Sequence, residues 1–349
     1  MRPPLHLLPL ILASGLAAQA QVPLFVDGPA FGGSRVFSEG LAPLSNSARF
    51  DRARNGFYAS WVEGDQGADG ALKALDRFDQ TAFLARNLQD LAEAPWALRT
   101  RAYSVSWVES GLHTSLAREE RTGLLASVDT DPGHLGAGMD QNTTRFDLRR
   151  AVVDRLSIGA GATEQGSGYG ILLRVERWKT GQAAAMLNPL PGALAMPQDP
   201  LAYQETQDTT TVATLDFGYL VEVWSGARLG VSVDRAIPHR FGDVKEKPQV
   251  RAGGQIELGD RFTLSVESDL NRAARMPFPV KQRITSASLR MEAGARTTLI
   301  LGAERQSLAG DPVIRGGLTA WFHGDRWSVG LGFQASQERP LKGLALRSY

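Results

Sequence analysis

The strongest pattern in this chain is an alternation of apolar and polar positions with a period of two. Phe262, Leu264 and Val266 alternate with Thr263, Ser265 and Glu267, and Leu229, Val231 and Val233 with Gly230, Ser232 and Asp234. Trp327, Val329, Leu331 and Phe333 repeat the pattern near the C-terminus. Successive side chains of a strand point to opposite faces, so each set occupies one face of a strand. From about Thr210 to Phe333 the chain is strand, turn, strand, turn, with Gly259-Asp260, Gly294-Ala295 and Gly324-Asp325 at hairpin spacing. Half-apolar segments of about 10 residues joined by short turns form the pattern of a transmembrane β-barrel. Candidate strands are 56–64, 102–109, 112–119, 122–129, 143–152, 154–163, 168–179, 210–224, 227–236, 248–258, 260–270, 283–293, 296–305, 313–322 and 325–335. A bacterial single-chain barrel takes an even number. The expected fold is therefore all-β, an antiparallel transmembrane barrel of about 14 strands, with one of these candidates wrong.

Two segments break the pattern. In Asp69–Ala94, Leu72, Leu75, Phe78, Ala82 and Ala85 recur at helical spacing, with Leu84, Leu88 and Leu91 on a neighbouring stripe. Asp69 caps the start and Pro95 closes the end. This predicts one N-terminal helical insertion, a lumenal plug or periplasmic-rim helix in a barrel, a packing helix in a soluble β domain. Residues 181–209 carry Pro189, Pro191, Pro197 and Pro200, a density that forbids a ladder strand. A loop of this length is expected to be functional, and extracellular in a barrel.

Met1–Ala20 has the build of a secretory leader: Arg2, an apolar run from Leu5 to Leu16, and Ala18-Gln19-Ala20 as a small-x-small cleavage site. Beyond it no stretch approaches the 18 apolar residues of a membrane helix. The expected organisation is a signal peptide over 1–20 and one outer-membrane barrel domain over 21–349. A hydrophobic fraction of 43% fits a barrel, whose strands are half apolar. The chain has no cysteine, which removes thiol catalysis, thiolate metal sites and disulfides. With 38 basic and 37 acidic residues there is no basic excess for nucleic acid, and none is expected as a partner.

Candidate lumen-lining residues are Thr263, Ser265, Glu267 and Asp269, on the polar face of one strand. Arg174 and Glu176 share a strand face, and the lumen is where such a pair fits, since Arg or Lys at mid-membrane costs about 2–4 kcal/mol. Arg177, on the opposite face, then belongs near a membrane interface. Tyr103, Trp107, Trp178, Trp224, Trp321, Trp327 and Phe333 sit near strand ends, as an interfacial girdle or as the core of a β-sandwich. Gly330-Leu331-Gly332-Phe333-Gln334-Ala335 matches a degenerate dinucleotide fingerprint but lacks the following helix that the phosphate needs. Asp129-Thr130-Asp131-Pro132-Gly133, with Asp140 beyond, offers carboxylates for calcium but reads better as an acidic turn. Asn142-Thr143-Thr144 matches a glycosylation acceptor and reads as the start of a strand. His113 and Ser115 lie two apart on one strand face, the single pairing worth testing for an outer-membrane hydrolase, with His239 the other histidine considered. No catalytic residue, metal ligand or cofactor is assigned.

The run from Arg228 to Ala273, RLGVSVDRAIPHRFGDVKEKPQVRAGGQIELGDRFTLSVESDLNRA, is a strand, a polar link with Pro238, and further strands led by Pro248-Gln249-Val250 and Asp260-Arg261. Gln282–Glu292, Thr297–Glu304 and Ile314–Phe322 continue in the same style. This resembles the TraF-like plasmid-transfer outer-membrane proteins, which belong with the FadL-like and PorV-like barrels. The resemblance implies a 14-stranded outer-membrane barrel without enzymatic activity. It implies a role in transport, conjugal transfer or secretion, and partners drawn from the lipid bilayer, a small hydrophobic solute or a secretion or transfer apparatus. It carries no catalytic or ligand residue onto this chain. Tyr349 fits the aromatic end such barrels have, whereas Arg347 does not, and Leu344 and Leu346 fall on the opposite face. The alternative fold is a secreted or periplasmic β-sandwich binding module, whose apolar faces would meet each other.

Overall fold

The computed structural model describes residues 55–67, 71, 88, 91–92, 95–134, 141–164, 166–186, 208–306, 313–335 and 341–348. The wall begins with β1 (Gly56–Gly67), β2 (Trp96–Glu109), β3 (Leu112–Ser127), β4 (Arg145–Glu164), β5 (Ser167–Met186), β6 (Asp208–Trp224) and β7 (Ala227–Asp234). The short strands β8 (His239–Phe241) and β9 (Val244–Glu246) then leave it. β10 (Gln249–Leu258) and β11 (Phe262–Asp269) return to the wall, and β12 (Ala273–Arg275) and β13 (Phe278–Gln282) leave again. β14 (Ile284–Gly294), β15 (Thr297–Gln306), β16 (Val313–His323), β17 (Trp327–Gln334) and β18 (Leu341–Ser348) complete it. Among the described residues, fourteen antiparallel strands form a closed barrel, and β18 shuts it on β1 with Phe57 opposite Ser348.

Closure excludes the sandwich. The large apolar side chains Leu116, Ile158, Leu229 and Leu331 are exposed on the outside, while Ser157, Glu176, Arg251 and Glu267 are buried inside. This is the reverse of a sandwich, in which apolar faces meet. The two ends of the barrel differ. Every hairpin at one end is short, and the first of them, Ser110-Gly111, has positive φ at both residues (50° and 80°), as a two-residue turn between twisted strands requires. The connections at the opposite end are longer: 68–95, 128–144, 187–207, 235–248 and 270–283, with 307–312 and 335–340 the shortest at six residues each.

The predicted count of 14 holds, but by a different route. Candidates 112–119 and 122–129 are one strand, β3, and 143–152 and 154–163 are one strand, β4. The gap between the first two candidates falls at Glu120-Arg121. The ladder continues there because inward Glu119 and Arg121 pair with each other, while outward Glu120 lies beside Arg118 and Arg150. The added strand is β18, which the sequence pattern missed. Its Leu344 and Leu346 face outward, and Arg347 turns inward, 4.7 Å over the Trp321 ring. Trp178 and Trp321 also correct the girdle: they are buried inside, because their strand parity is inward. Trp107, Trp224 and Trp327 do flank the short turns on the outside, joined there by Tyr169, Phe262 and Phe322.

The predicted loop 181–209 is too long at both ends. β5 runs to Met186, which pairs with Arg145, and β6 starts at Asp208; the rest lies outside the described residues. The expected leader and most of the expected helix 69–94 also lie outside them. Ala71, Leu88, Leu91 and Ala92 are described, and all four are helical.

Candidate functional site

The two connections that leave the wall meet as a four-stranded sheet in the order β13-β12-β9-β8. Both come from the long-connection end, and the sheet packs against the inner wall there. Its apolar side chains Phe241, Val244, Ala274 and Met276 cluster with Ala151 and Val153 of β4 and Trp178 of β5. Trp178 and Phe241 lie with ring centroids 4.5 Å apart. Phe278 fills a second contact with Trp96 and Leu98 of β2, edge to face on Trp96 at 6.3 Å. Gly123 of β3 makes that approach possible: a Cβ there would stand 2.5 Å from Pro277 Cγ and 2.8 Å from the Phe278 ring. The sheet thus forms a cap folded into the mouth of the barrel.

Buried charge fastens the cap. Glu176 of β5 accepts from Arg155 Nε of β4 at 2.5 Å, from the Trp178 indole at 3.0 Å, and from Arg235 at 2.7 and 3.0 Å. Arg235, in the link after β7, also reaches Glu246 of the cap at 3.0 Å. Glu246 accepts from the Met276 amide at 2.9 Å, tying β9 to the β12–β13 turn. Arg121 of β3 donates to the Met276 carbonyl at 2.8 Å and pairs with Glu119. At the tip of the β8–β9 hairpin, Asp243 takes two hydrogen bonds from Arg149, at 2.5 and 2.8 Å. This fork holds the Asp243 carboxyl below its usual range.

Of the residues anticipated as lumen-lining, Arg174 and Glu176 lie inside on β5, with Arg174 paired to Asp216 of β6. Ser265, Glu267 and Asp269 are buried inside on β11, and Thr263 is half-buried on the same face. Asp269 pairs with Arg251 at 2.6 Å, Glu267 accepts from Ser286 at 3.1 Å, and Ser265 accepts from Gln255 at 3.2 Å. The two sets are not brought together, because β7 and β10 separate β6 from β11 in the wall. Sequence reasoning missed Arg155, Arg235, Glu246 and Arg251. For Arg155 and Arg251 the available signal was parity, since a charged residue within a wall strand had to fall on the inward face or at an end; Arg235 and Glu246, in the link after β7, had no such signal.

The other motifs resolve structurally. His113 and Ser115 are both inward and buried near a short turn, while His239 belongs to the cap at the opposite end. The glycine-rich match Gly330–Ala335 runs through β17, which is paired on both sides. Asp129 receives the Thr143 amide at 3.0 Å, the Asp131 amide at 3.1 Å and the Thr143 hydroxyl at 3.0 Å, with His134 Nδ1 at 2.8 Å. It is an acidic turn, and the Thr143 amide above all holds its carboxyl well below the usual range. Asn142 stitches the same turn through the Asp129 and His134 carbonyls; Asp140 lies outside the described residues. Among the described residues no cluster of His, Asp or Glu has the arrangement of a metal site.

No family model matches this chain, and no curated protein does. Solved structures do. The toluene transporter TbuX of Ralstonia pickettii superposes with a TM-score of 0.56 at 9% identity, covering 93% of this chain and 98% of its own. The monoaromatic hydrocarbon channel CymD gives 0.57 at 10% identity, covering 93% and 96%. A FadL homologue of Pseudomonas aeruginosa gives 0.51 at 9% identity, covering 95% and 99%. At such identities the likeness establishes the shared barrel fold.

Proposed function

We propose that this chain is an exported outer-membrane barrel that conducts a small solute and is closed at its outer mouth by the β8–β9 and β12–β13 cap. The carrying observation is the polarity of the closed wall: apolar side chains with an aromatic ring outside, charged and hydroxyl side chains inside. A membrane-spanning sheet must close, because hydrocarbon satisfies no free backbone edge. Short turns at one end and long connections at the other match the periplasmic and extracellular sides of such barrels, which puts the cap outside. The leader 1–20 would direct export, and the chain would then form one barrel domain over 21–349. Residues Arg174, Glu176, Thr263, Ser265, Glu267 and Asp269 would line the passage. The barrels sharing this fold are described as transporters or channels for toluene and monoaromatic hydrocarbons, which makes a small hydrophobic molecule the first solute to test. The role is passive and non-enzymatic. The finer TraF-like reading, with a transfer or secretion apparatus as partner, rests on the style of Arg228–Ala273.

The test has two stages. Membranes are fractionated, and the chain is run on a denaturing gel with and without boiling. A band in the outer-membrane fraction that shifts on boiling is expected; a soluble, unshifted band overturns the barrel reading. The purified barrel is then placed in liposomes, and uptake of toluene is compared with that of a sugar of similar size. Faster toluene entry than in empty liposomes supports hydrocarbon transport, whereas entry of the sugar alone reassigns the solute.

A further inference from the structure

Charge on the outside of the barrel is confined. By strand alternation, the outward positions of β7, β10 and β11 carry no acidic or basic side chain. On β3, β4 and β5 the partnered outward residues Arg118, Asp154 and Arg177 stand side by side in one row, with Thr211 of β6 next in line. Arg118 shares its charge with Glu120 at 3.2 Å and Asp154 at 3.4 Å. Arg177 and Lys179, two residues apart on the same face of β5, make no ion pair among the described residues. Across the ladder they face Thr211 and Thr209 on β6, and Asp154 and Val152 on β4. This row borders a groove of about 490 Å³, lined by Tyr103, Leu116, Leu156 and Val175 together with Arg118, Asp154, Arg177 and Thr211. Lys179 and Thr209 stand one step further along their strands, outside that lining. On β3, β4 and β5 the apolar residue (Leu116, Leu156 or Val175) lies two residues nearer the short turn than the charge beside it (Arg118, Asp154 or Arg177), while Tyr103 lies level with Arg118. The groove is amphipathic along the barrel axis.

An unpaired arginine on a lipid-facing wall is tolerated near an interface and supported by anionic headgroups there. We propose that this groove holds one phosphate-bearing lipid of the surrounding bilayer. Its phosphate sits at the rim of the groove, at Arg177 beside Thr211, with Lys179 adjacent on the same strand face, and an acyl chain lies along Val175, Leu156 and Leu116. The site rests on the membrane reading above. It is separate from the lumen, because its residues point away from it.

The test uses the full chain in detergent, first shown to shift on boiling, and native mass spectrometry with dioleoyl phosphatidylglycerol or dioleoylglycerol added. The expected result is retention of one phosphatidylglycerol about tenfold over the phosphate-free lipid. Arg177→Ser with Lys179→Ser should abolish that preference, while Lys342→Ser, outward on β18, should keep it. Excess inorganic phosphate, lacking an acyl chain, should displace little of the bound lipid. Equal retention of both lipids by the unaltered chain overturns the site, and so does a folded double variant that keeps the preference. If the double variant fails to fold, Arg177→Gln alone decides by the same reading. A chain that shows no boiling shift indicts the barrel reading instead of the groove.

Discussion

Glu176 sits where the wall, the cap and the link after β7 meet. Its carboxylate faces the guanidinium groups of Arg155 and Arg235, both buried. Removing one partner of a buried charge set leaves the others uncompensated, at a cost of about 3–5 kcal/mol. Glu176→Gln should therefore lower the temperature at which the folded band converts to the unfolded one, by more than Asp154→Asn, whose carboxylate is exposed. An equal shift for both would mean that the network carries no special weight. Gly123→Leu addresses the cap from the other side. The added side chain collides with Pro277 and Phe278, an overpacking of about 1–3 kcal/mol that moving the cap can relieve. Proteolysis between β12 and β13 should quicken while the boiling shift persists. Unchanged proteolysis would show that Phe278 gives way locally. At this scale the sequence revealed half of each pair. Arg174 and Glu176 were legible because strand parity put them inside. Arg235 and Glu246 were not, because they lie in a link without periodicity and meet their partners only after folding.

The elements divide the same way. Strands with large apolar residues at alternate positions were legible. Those whose outward face becomes polar beyond the apolar belt, as β3 does at Glu120 and β4 at Asp154, were cut in two by the reading. The cap hairpins escaped because three-residue strands such as His239–Phe241 are too short to show a period. The Phe241-Gly242-Asp243-Val244 turn was their one local signal. That turn also gives the cap a pH dependence. The Arg149 fork lowers the folded pKa of Asp243 below its unfolded value. A depressed carboxyl stabilises the docked cap in full above the unfolded value, near pH 4, and loses that contribution as pH falls through the folded value. Hydrogen exchange of the β8–β9 amides should thus speed up relative to the wall as pH is lowered below about 4, after correction for intrinsic rates. In Asp243→Asn the fast behaviour should already be present at neutral pH. An Asp243→Asn cap as protected as the unaltered one would assign the docking to Phe241 and Trp178 alone.

For the molecule as a whole, the sequence specified which residues face in and out but not how the sheet ends. Alternation is equally compatible with two facing sheets and one closed wall. The decision rests on β18, whose Leu344 and Leu346 looked misplaced when counted back from Tyr349. Paired with β17 and β1, the strand turns those leucines to the outside and Ala345 and Leu341 to the inside. Without it, β1 and β17 would each present an open row of backbone donors and acceptors. In hydrocarbon every such group left unsatisfied costs several kcal/mol. Deleting Leu341–Tyr349 should therefore do more than subtract one strand's stability. The truncated chain should lose the boiling shift completely and leave the outer-membrane fraction, because closure is a property of the whole sheet. Supplying 341–349 as a separate peptide during refolding should restore some shifted band, since the vacated edges of β1 and β17 are its template. A truncated chain that still shifts and still fractionates with the membrane would mean that β1 and β17 can pair directly. The barrel would then have thirteen strands, and the closing role argued for β18 would fall.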